Sequence, residues 1–439
     1  MPSRVDDRDL ATWRECRDCG LLQRLPEIPD GEAAICVRCG ATLRRAARDS
    51  INFARISGLA CASLFVLALG LPFMELRVLG RFSTSTLFTG PSMLRERGLP
   101  GLALVVLLTL VLMPAVKIGV ELTVLFGVRA EHPPRWLPWV FGWLERIAPW
   151  SMVEVFLLGS FVAYTRLREL ADVAVGPAIF ALGGVMLSMV ATDGTLDREA
   201  IWQDLEAKGT RLERATPDAP RFERPSGSSA SLRILGCHTC GRVVHAVERE
   251  ACPRCGHGLF FRKAGGNLGG VWAMLLTAAL LYIPANILPV MTVQRFGRGA
   301  PSTILGGVVE LAEAHMWPLA LLVLLASVVV PMVKLVSMAV MLVMTQRGSA
   351  AGLRGRTRMF RFVHAIGRWS MIDIFMLATL VGVVRLGFIS TILPGLGAGA
   401  FCAVVIVTML ATEMFDPRWM WDAAGLPGEA QREREAVEC

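Results

Sequence analysis

Trp150-Ser-Met-Val-Glu-Val-Phe156 and Trp369-Ser-Met-Ile-Asp-Ile-Phe375 are one motif written twice. Outward from it the doubling continues. Pro114-Ala-Val-Lys117 returns as Pro331-Met-Val-Lys334, and Ala191-Thr-Asp193 as Ala411-Thr-Glu413. Cys16, Cys19, Cys36 and Cys39 return as Cys237, Cys240, Cys252 and Cys255. The offset stays near 217 residues from Cys39/Cys255 to Pro72/Pro289 and onward. A constant offset marks two copies of one module, each a thiol cluster followed by apolar helices.

A mean hydropathy of +0.51 over 439 residues is too apolar for a soluble chain. Runs of roughly 18 or more apolar residues read as membrane-spanning helices. Eight are present, at 52–74, 100–127, 148–167, 174–192, 270–292, 316–344, 366–388 and 393–412. The first begins after a polar N-terminal stretch, so it does not read as a cleaved signal peptide. The net charge of +8 reads as topology, not as affinity for nucleic acid. Arg347, Arg354, Arg356, Arg358, Arg361 and Arg368 lie between the sixth and seventh runs without an acid. Arg129, Arg135 and Arg146 lie between the second and third, against Glu131 and Glu145. The positive-inside rule turns both connections to the cytoplasm. Near 293–315, Arg295 and Arg298 are offset by Glu310 and Glu313; the stretch 75–99, with Arg77, Arg81, Arg95 and Arg97, fits the rule less well. Four spans return the chain to its starting side, so both thiol clusters and both termini are expected in the cytoplasm. The modules are then parallel repeats about an axis along the membrane normal. The basic surface also suits anionic lipid headgroups.

The expected organisation is an N-terminal tail and first cysteine unit over 1–50 and a four-helix module over 51–193. A linker over 194–230 contains Pro217, Pro220, Pro225 and a short helix over Arg198–Leu212. The second cysteine unit covers 231–267, the second module 268–415, and a charged tail 416–439. Each unit holds two Cys-x2-Cys pairs, each followed by glycine (Gly20, Gly40, Gly241, Gly256). Thiolates two residues apart grip one ion in a tight turn, and the glycine permits the backbone geometry of that turn. Four soft thiolates make a closed tetrahedral site, the signature of structural zinc, one ion per unit. A redox dithiol would show one pair in a βαβ context, not four knuckles. Disulfides do not suit a reducing cytoplasm. His238 and His257 flank only the second unit and read as surface residues; Cys61 and Cys402 read as small hydrophobes inside helices. The units resemble zinc ribbons, which implies three-stranded β domains too small to fold without metal.

Four charges fall inside apolar runs. Lys117 and Lys334 sit about 15 Å, and Glu154 and Asp373 about 10 Å, from the same face, at 1.5 Å per residue. A lysine and an acid on consecutive antiparallel helices can therefore meet, with Ser151 and Ser370 joining the network. Pairing toward the bundle interior offsets the cost of burying either charge. The competing reading has the lysines snorkelling to the headgroups. Asp193 and Glu413 read as interfacial, and Trp150 and Trp369 as interface anchors. One element breaks the symmetry. The fifth run contains Pro284-Ala-Asn286, which the first run lacks. Asn286 in a kinked span marks either a substrate or coupling site in the second module or a packing kink. Walker, haem, nucleophile-elbow and metalloprotease motifs are missing, so no enzyme activity is expected.

Two cytoplasmic ribbons, each ahead of a four-helix module, together with Pro284-Ala-Asn286 and the paired motifs, resemble the paraquat-inducible protein A family of LetA-like proteins. The resemblance covers about residues 16–421. It implies a bacterial inner-membrane protein that works with periplasmic MCE-domain partners to move lipid between the inner and outer membranes. The missing Pro-Ala-Asn element leaves the role of the first module open. A non-transporting scaffold or sensor, its ribbons docking a cytoplasmic partner, is the alternative.

Overall fold

The structure, a computed structural model, describes residues 12–26, 28–47, 50–78, 81–168, 172–208, 233–246, 251–259, 267–295, 298–384 and 390–426. The first repeat opens with strands β1 (Trp13–Glu15), β2 (Leu22–Arg24), β3 (Ala33–Ile35) and β4 (Thr42–Arg45). The first span is α1 (Ser50–Gly70), followed by β5 (Met74–Val78), β6 (Arg81–Ser85) and α2 (Thr89–Glu96). The second span joins α3 (Pro100–Leu107) and α4 (Met113–Gly127) through a π-helical turn at Leu108–Leu112. Then come α5 (Leu137–Ile147), α6 (Val153–Arg168), β7 (Asp172–Val175), α7 (Pro177–Thr195) and the linker helix α8 (Arg198–Ala207).

The second repeat runs in the same order. It comprises β8 (Arg233–Gly236), β9 (Val243–Ala246), α9 (Leu268–Ile287), β10 (Met291–Arg295), β11 (Arg298–Ser302) and α10 (Ile304–Glu313). Next are α11 (Trp317–Leu324), a π-turn at Leu325–Val329, α12 (Val330–Gln346), α13 (Leu353–Ile366), α14 (Ile372–Val383), β12 (Ser390–Pro394), α15 (Leu396–Met414) and α16 (Arg418–Ala423).

Among the described residues, seven helices are long and apolar enough to cross a membrane, and a pair bent by 45°, Leu137–Leu144 with Ala148–Arg168, makes up to eight if it is one span. The protein is a mostly helical, multi-pass membrane protein built from two repeats. Within each module the first and fourth spans pack together, α1 on α7 and α9 on α15. The third spans, α6 and α14, cross at the centre. There Phe156 meets Phe375 edge-on at 5.6 Å, and the Ser160 and Thr379 hydroxyls lie 3.2 Å apart. Each of these residues touches its own repeat counterpart, so the pseudo-two-fold axis passes between them. Every residue of α14 is buried, which explains why that helix is apolar on all faces apart from Asp373 and Thr379.

Gly159 permits this crossing. A Cβ there would lie 2.8 Å from the Ile372 carbonyl oxygen and 3.1 Å from the Met376 nitrogen. Backbone cannot swing aside as a side chain does. Gly159→Val is expected to lower stability by about 1–3 kcal/mol through overpacking; an unchanged thermal midpoint of the purified protein would contradict this close approach.

The π-turns follow from Pro114 and Pro331. Proline lacks the N–H for the carbonyl four residues back, and its ring crowds that carbonyl, so the helix widens. Within the widened turns the Met152 N–H donates to the Thr109 carbonyl at 3.4 Å, and the Tyr282 hydroxyl to the Val328 carbonyl at 3.3 Å.

Four features depart from the sequence reading. The two basic connections are helices, α5 and α13. In α13, Leu353, Phe360 and Val363 repeat at helical spacing and are buried, with Arg354 and Arg358 outside. The face opposite the ribbons carries antiparallel sheets of order β6-β5-β7 and β11-β10-β12, over segments read as span ends and loops. Met74 pairs with both Ser85 and Val175, and Met291 with both Ser302 and Pro394, so each sheet closes only across its whole module. The cysteine units are not three-stranded among the described residues. β1–β2, β3–β4 and β8–β9 are separate hairpins, and Ala251 and Gly258 form a single bridge. Each knuckle turns back at once, the Gly20 N–H donating to the Cys16 carbonyl at 2.8 Å, so each hairpin closes locally. Finally, the charged tail begins with α16. The linker helix ends at Ala207, and 209–232 lies outside the described residues.

Candidate functional site

Four Sγ atoms converge in each cysteine unit, all within 4.8 Å of one another. Cys16–Cys39 and Cys19–Cys36 measure 3.5 and 3.6 Å, and Cys237–Cys255 and Cys240–Cys252 measure 3.5 and 3.7 Å. Disulfides would need about 2.05 Å. A tetrahedral ion with metal–sulfur bonds of about 2.3 Å spaces its sulfurs about 3.8 Å apart. All eight thiols are buried, so both clusters fit a closed metal site. Gly20, Gly40, Gly241 and Gly256 take φ of 71, 71, 72 and 74°, the left-handed turn their position after the knuckle requires.

The ribbons are crossed. The first packs on the second module, where its cysteines share a core with Leu342, Phe360, Trp419 and Trp421. The second packs on the first module and on α8, against Leu125, Phe141, Leu144 and Trp202. Arg354 donates to the Arg38 and Val37 carbonyls at 2.5 and 3.1 Å, and Arg361 to the Cys39 carbonyl at 3.0 Å. Two arginines of the basic stretch thus hold the knuckle. Under the second ribbon, Trp139 of α5 stacks on His257, and Arg254 pairs with Glu199 at 2.7 Å. Burial pushes the Glu199 carboxyl up, but hydrogen bonds from Arg254 more than offset it and hold the group below its ordinary value. The ribbons also meet each other. Arg14 bridges to Arg242, and Arg418 of α16 reaches both Glu15 at 3.1 Å and His238 at 2.8 Å.

Between the modules, on the ribbon side, lies a cavity of about 600 Å³. Lys117, Ser151, Glu154 and Asp193 of the first module face Lys334, His364, Arg368 and Glu413 of the second across it, with Arg17 and Arg198 also in its lining. The pairing within it differs from the expected one. Lys117 Nζ lies 2.7 Å from Asp193 Oδ2 and 3.7 Å from Glu121 Oε1, and does not pair with Glu154. Glu154 instead accepts from Arg368 of the other module at 3.1 Å. Lys334 and Asp373 are both buried, but they line different cavities, and neither has a hydrogen-bond partner among the described residues. Ser327 approaches Asp373 without a hydrogen bond of good geometry. Ser151 lies 3.9 Å from the Met189 sulfur, and the buried Ser370 hydroxyl has no partner. Asn286 donates to the Tyr282 carbonyl at 2.8 Å within a helix unbroken over Leu268–Ile287, and neither it nor Pro284 lines this cavity.

Sequence reasoning missed Glu121, buried one turn beyond Lys117; their spacing of four residues was the available signal. It took Asp193 and Glu413 for interfacial acids, and Arg368 for a topology marker. No local pattern reports that these three side chains converge.

The sequence model described as "Paraquat-inducible protein A" matches residues 55–206 and again 268–425. The chain is 33% identical over 413 residues to the "Intermembrane transport protein PqiA" of Escherichia coli (strain K12), covering 93% of this chain and 95% of that protein. It is 30% identical over 414 residues to the "Lipophilic envelope-spanning tunnel protein A" of the same strain, covering 94% and 91%. To the "Probable intermembrane transport protein" of Haemophilus influenzae it is 25% identical over 416 residues, covering 93% and 95%. No solved structure matches the chain significantly.

Proposed function

The chain belongs to the paraquat-inducible protein A family, matched in both halves and along most of its length, and on that basis we propose that it transports lipid as the inner-membrane subunit of a bacterial intermembrane system. Its ribbons and termini face the cytoplasm, in keeping with the arginines of α13. Each ribbon holds one structural zinc through its four cysteines, an ion that would clamp two hairpins too small to fold alone. The sheets on the opposite face meet a periplasmic MCE-domain tunnel, with which lipid is exchanged.

The observation that supports this reading most is the cavity of about 600 Å³ walled by both modules. Its size suits a polar headgroup with part of its chains. Charges of both signs line it, and Arg368–Glu154 ties one module to the other across it. Breaking and re-forming such a tie would give two states that a titrating group can bias. We assign coupling to proton transfer at Asp373 and to the cation at Lys334, acting in separate cavities and not as a pair.

Reconstituted in vesicles, Lys334→Ala and Asp373→Asn are each expected to slow lipid transfer about tenfold, the loss of one positioned charge. Wild-type rates in both would sink the coupling role. If the wild-type protein transfers no lipid while knuckle variants abolish assembly with a cytoplasmic partner, the scaffold reading is favoured. Co-purification without any MCE-domain protein or lipid would remove the partner assignment.

A further inference from the structure

Repeat symmetry places one glycine at the start of a short helix in each module, Gly90 in α2 and Gly307 in α10. What covers them differs. A Cβ on Gly90 would lie 2.8 Å from the Ala378 carbonyl oxygen, and one on Gly382 would lie 3.0 Å from the Gly90 Cα. Backbone therefore seals the first module at this point. Only about 10 Å³ remains there, with no charged residue in the lining among the described residues.

At Gly307 the cover is a side chain from the other module. Arg166, near the end of α6, donates from Nη2 to the Gly307 carbonyl at 2.9 Å. A Cβ on Gly307 would lie 3.1 Å from the same Nη2. Behind Arg166 a pocket of about 30 Å³ runs past Ser302, Met376 and Phe401 to Asp373. Arg166 and Asp373 are its only charged lining residues among those described. Asp373 is 7% exposed, with neither carboxylate oxygen nor the buried Ser327 hydroxyl hydrogen-bonded among the described residues. One water needs about 10–15 Å³ and two to four polar partners. The space and the orphaned acceptors thus suit about two waters.

We propose that Arg166 is a side-chain plug controlling the access of water, and so of protons, to Asp373 from the face opposite the ribbons. Backbone sealing in the first module cannot open without moving helices, whereas a side chain can swing. Among the described residues the repeat is therefore symmetric in fold and asymmetric in access, and the open path lies in the second module. Arg166 is a positioning residue, since it acts through the path and not on the transported molecule. The proposal rests on the transport reading and specifies the route to one of its groups.

Access is measured apart from transport by carbodiimide labelling of Asp373 in protein held in nanodiscs, with the modified peptide quantified by mass spectrometry. Removing a hydrogen bond from a charged group raises the open population about tenfold or more. Arg166→Ala is expected to raise labelling by a water-soluble carbodiimide by that factor, and to leave labelling by membrane-soluble dicyclohexylcarbodiimide within about twofold. Gly307→Ala crowds Nη2 without removing the charge and favours the helix it sits in. It is expected to raise water-soluble labelling about threefold by weakening, not deleting, the bond. Water-soluble labelling unchanged in both folded variants overturns the plug. Labelling that rises as expected while lipid transfer is absent leaves the plug standing and fails the transport reading.

Discussion

If each ribbon holds one metal as proposed, replacing Cys39 by serine is expected to lower the metal content from about two per chain to about one and to release the first ribbon from the second membrane module. The ribbon has little else to hold it. Its buried apolar residues are the four cysteines with Leu22, Ala41 and Ala46. Structural zinc contributes about 10–16 kcal/mol in small domains of this kind, so loss of a ligand unfolds the unit. Its seat goes with it. Arg361 loses the Cys39 carbonyl, Arg354 loses those of Val37 and Arg38, and Arg38 leaves the Trp421 ring, over which it lies at 4.3 Å. Because the ribbons are crossed, the damage lands on the module farther along the chain. Amide exchange should rise in Leu353–Ile366 and Arg418–Ala423, with Leu137–Ile147 under the intact second ribbon still protected. Two metals retained, or loss of protection in Leu137–Ile147 alone, would contradict the crossed seating.

The two buried lysines should behave oppositely. Lys117→Met leaves Glu121, 3% exposed, without the cation 3.7 Å away, while Asp193, its side chain 45% exposed, keeps its water. Removing one partner of a buried ion pair costs about 3–5 kcal/mol. Lys334→Met meets no such penalty. Met338 stands where the first repeat has Glu121, and Lys334 Nζ has no hydrogen-bond partner. A methionine of similar length keeps the packing, so stability should stay within about 1 kcal/mol or rise. Unfolding of both variants in detergent checks this. Equal destabilisation would mean that the two repeats use their lysines alike. The combination also separates fold from function, because Lys334→Met is expected to stay folded and to lose transport.

Much of this was legible in the chain. The Cys-x2-Cys-Gly knuckles announce themselves, because two ligands of one ion must lie within a single turn. The spans announce themselves because each must bury about 20 consecutive residues in hydrocarbon. The doubling supplied both repeats of each and the two-fold arrangement. Other features were not legible. β5 pairs with β7, about 100 residues further on, and five-residue strands vanish inside neighbouring apolar runs. Asn286 drew attention as a polar group in a kinked span, yet it is bonded to the Tyr282 carbonyl one turn back in its own helix. Glu121 was hidden in an otherwise apolar stretch.

By itself, the sequence determined the quantities that short segments carry: ligand spacing, span length, the depth of Lys117 and Asp373, and the repeat that made two modules from one. Tertiary structure alone decided which charge meets which. A helix turns about 100° per residue, so the face a side chain presents depends on how neighbouring helices pack against it. Depth along the axis placed Lys117 and Glu154 within reach. Rotation about the axis gave Lys117 to Asp193, Glu154 to Arg368 of the other repeat, and left Asp373 behind Arg166 with no partner of its own.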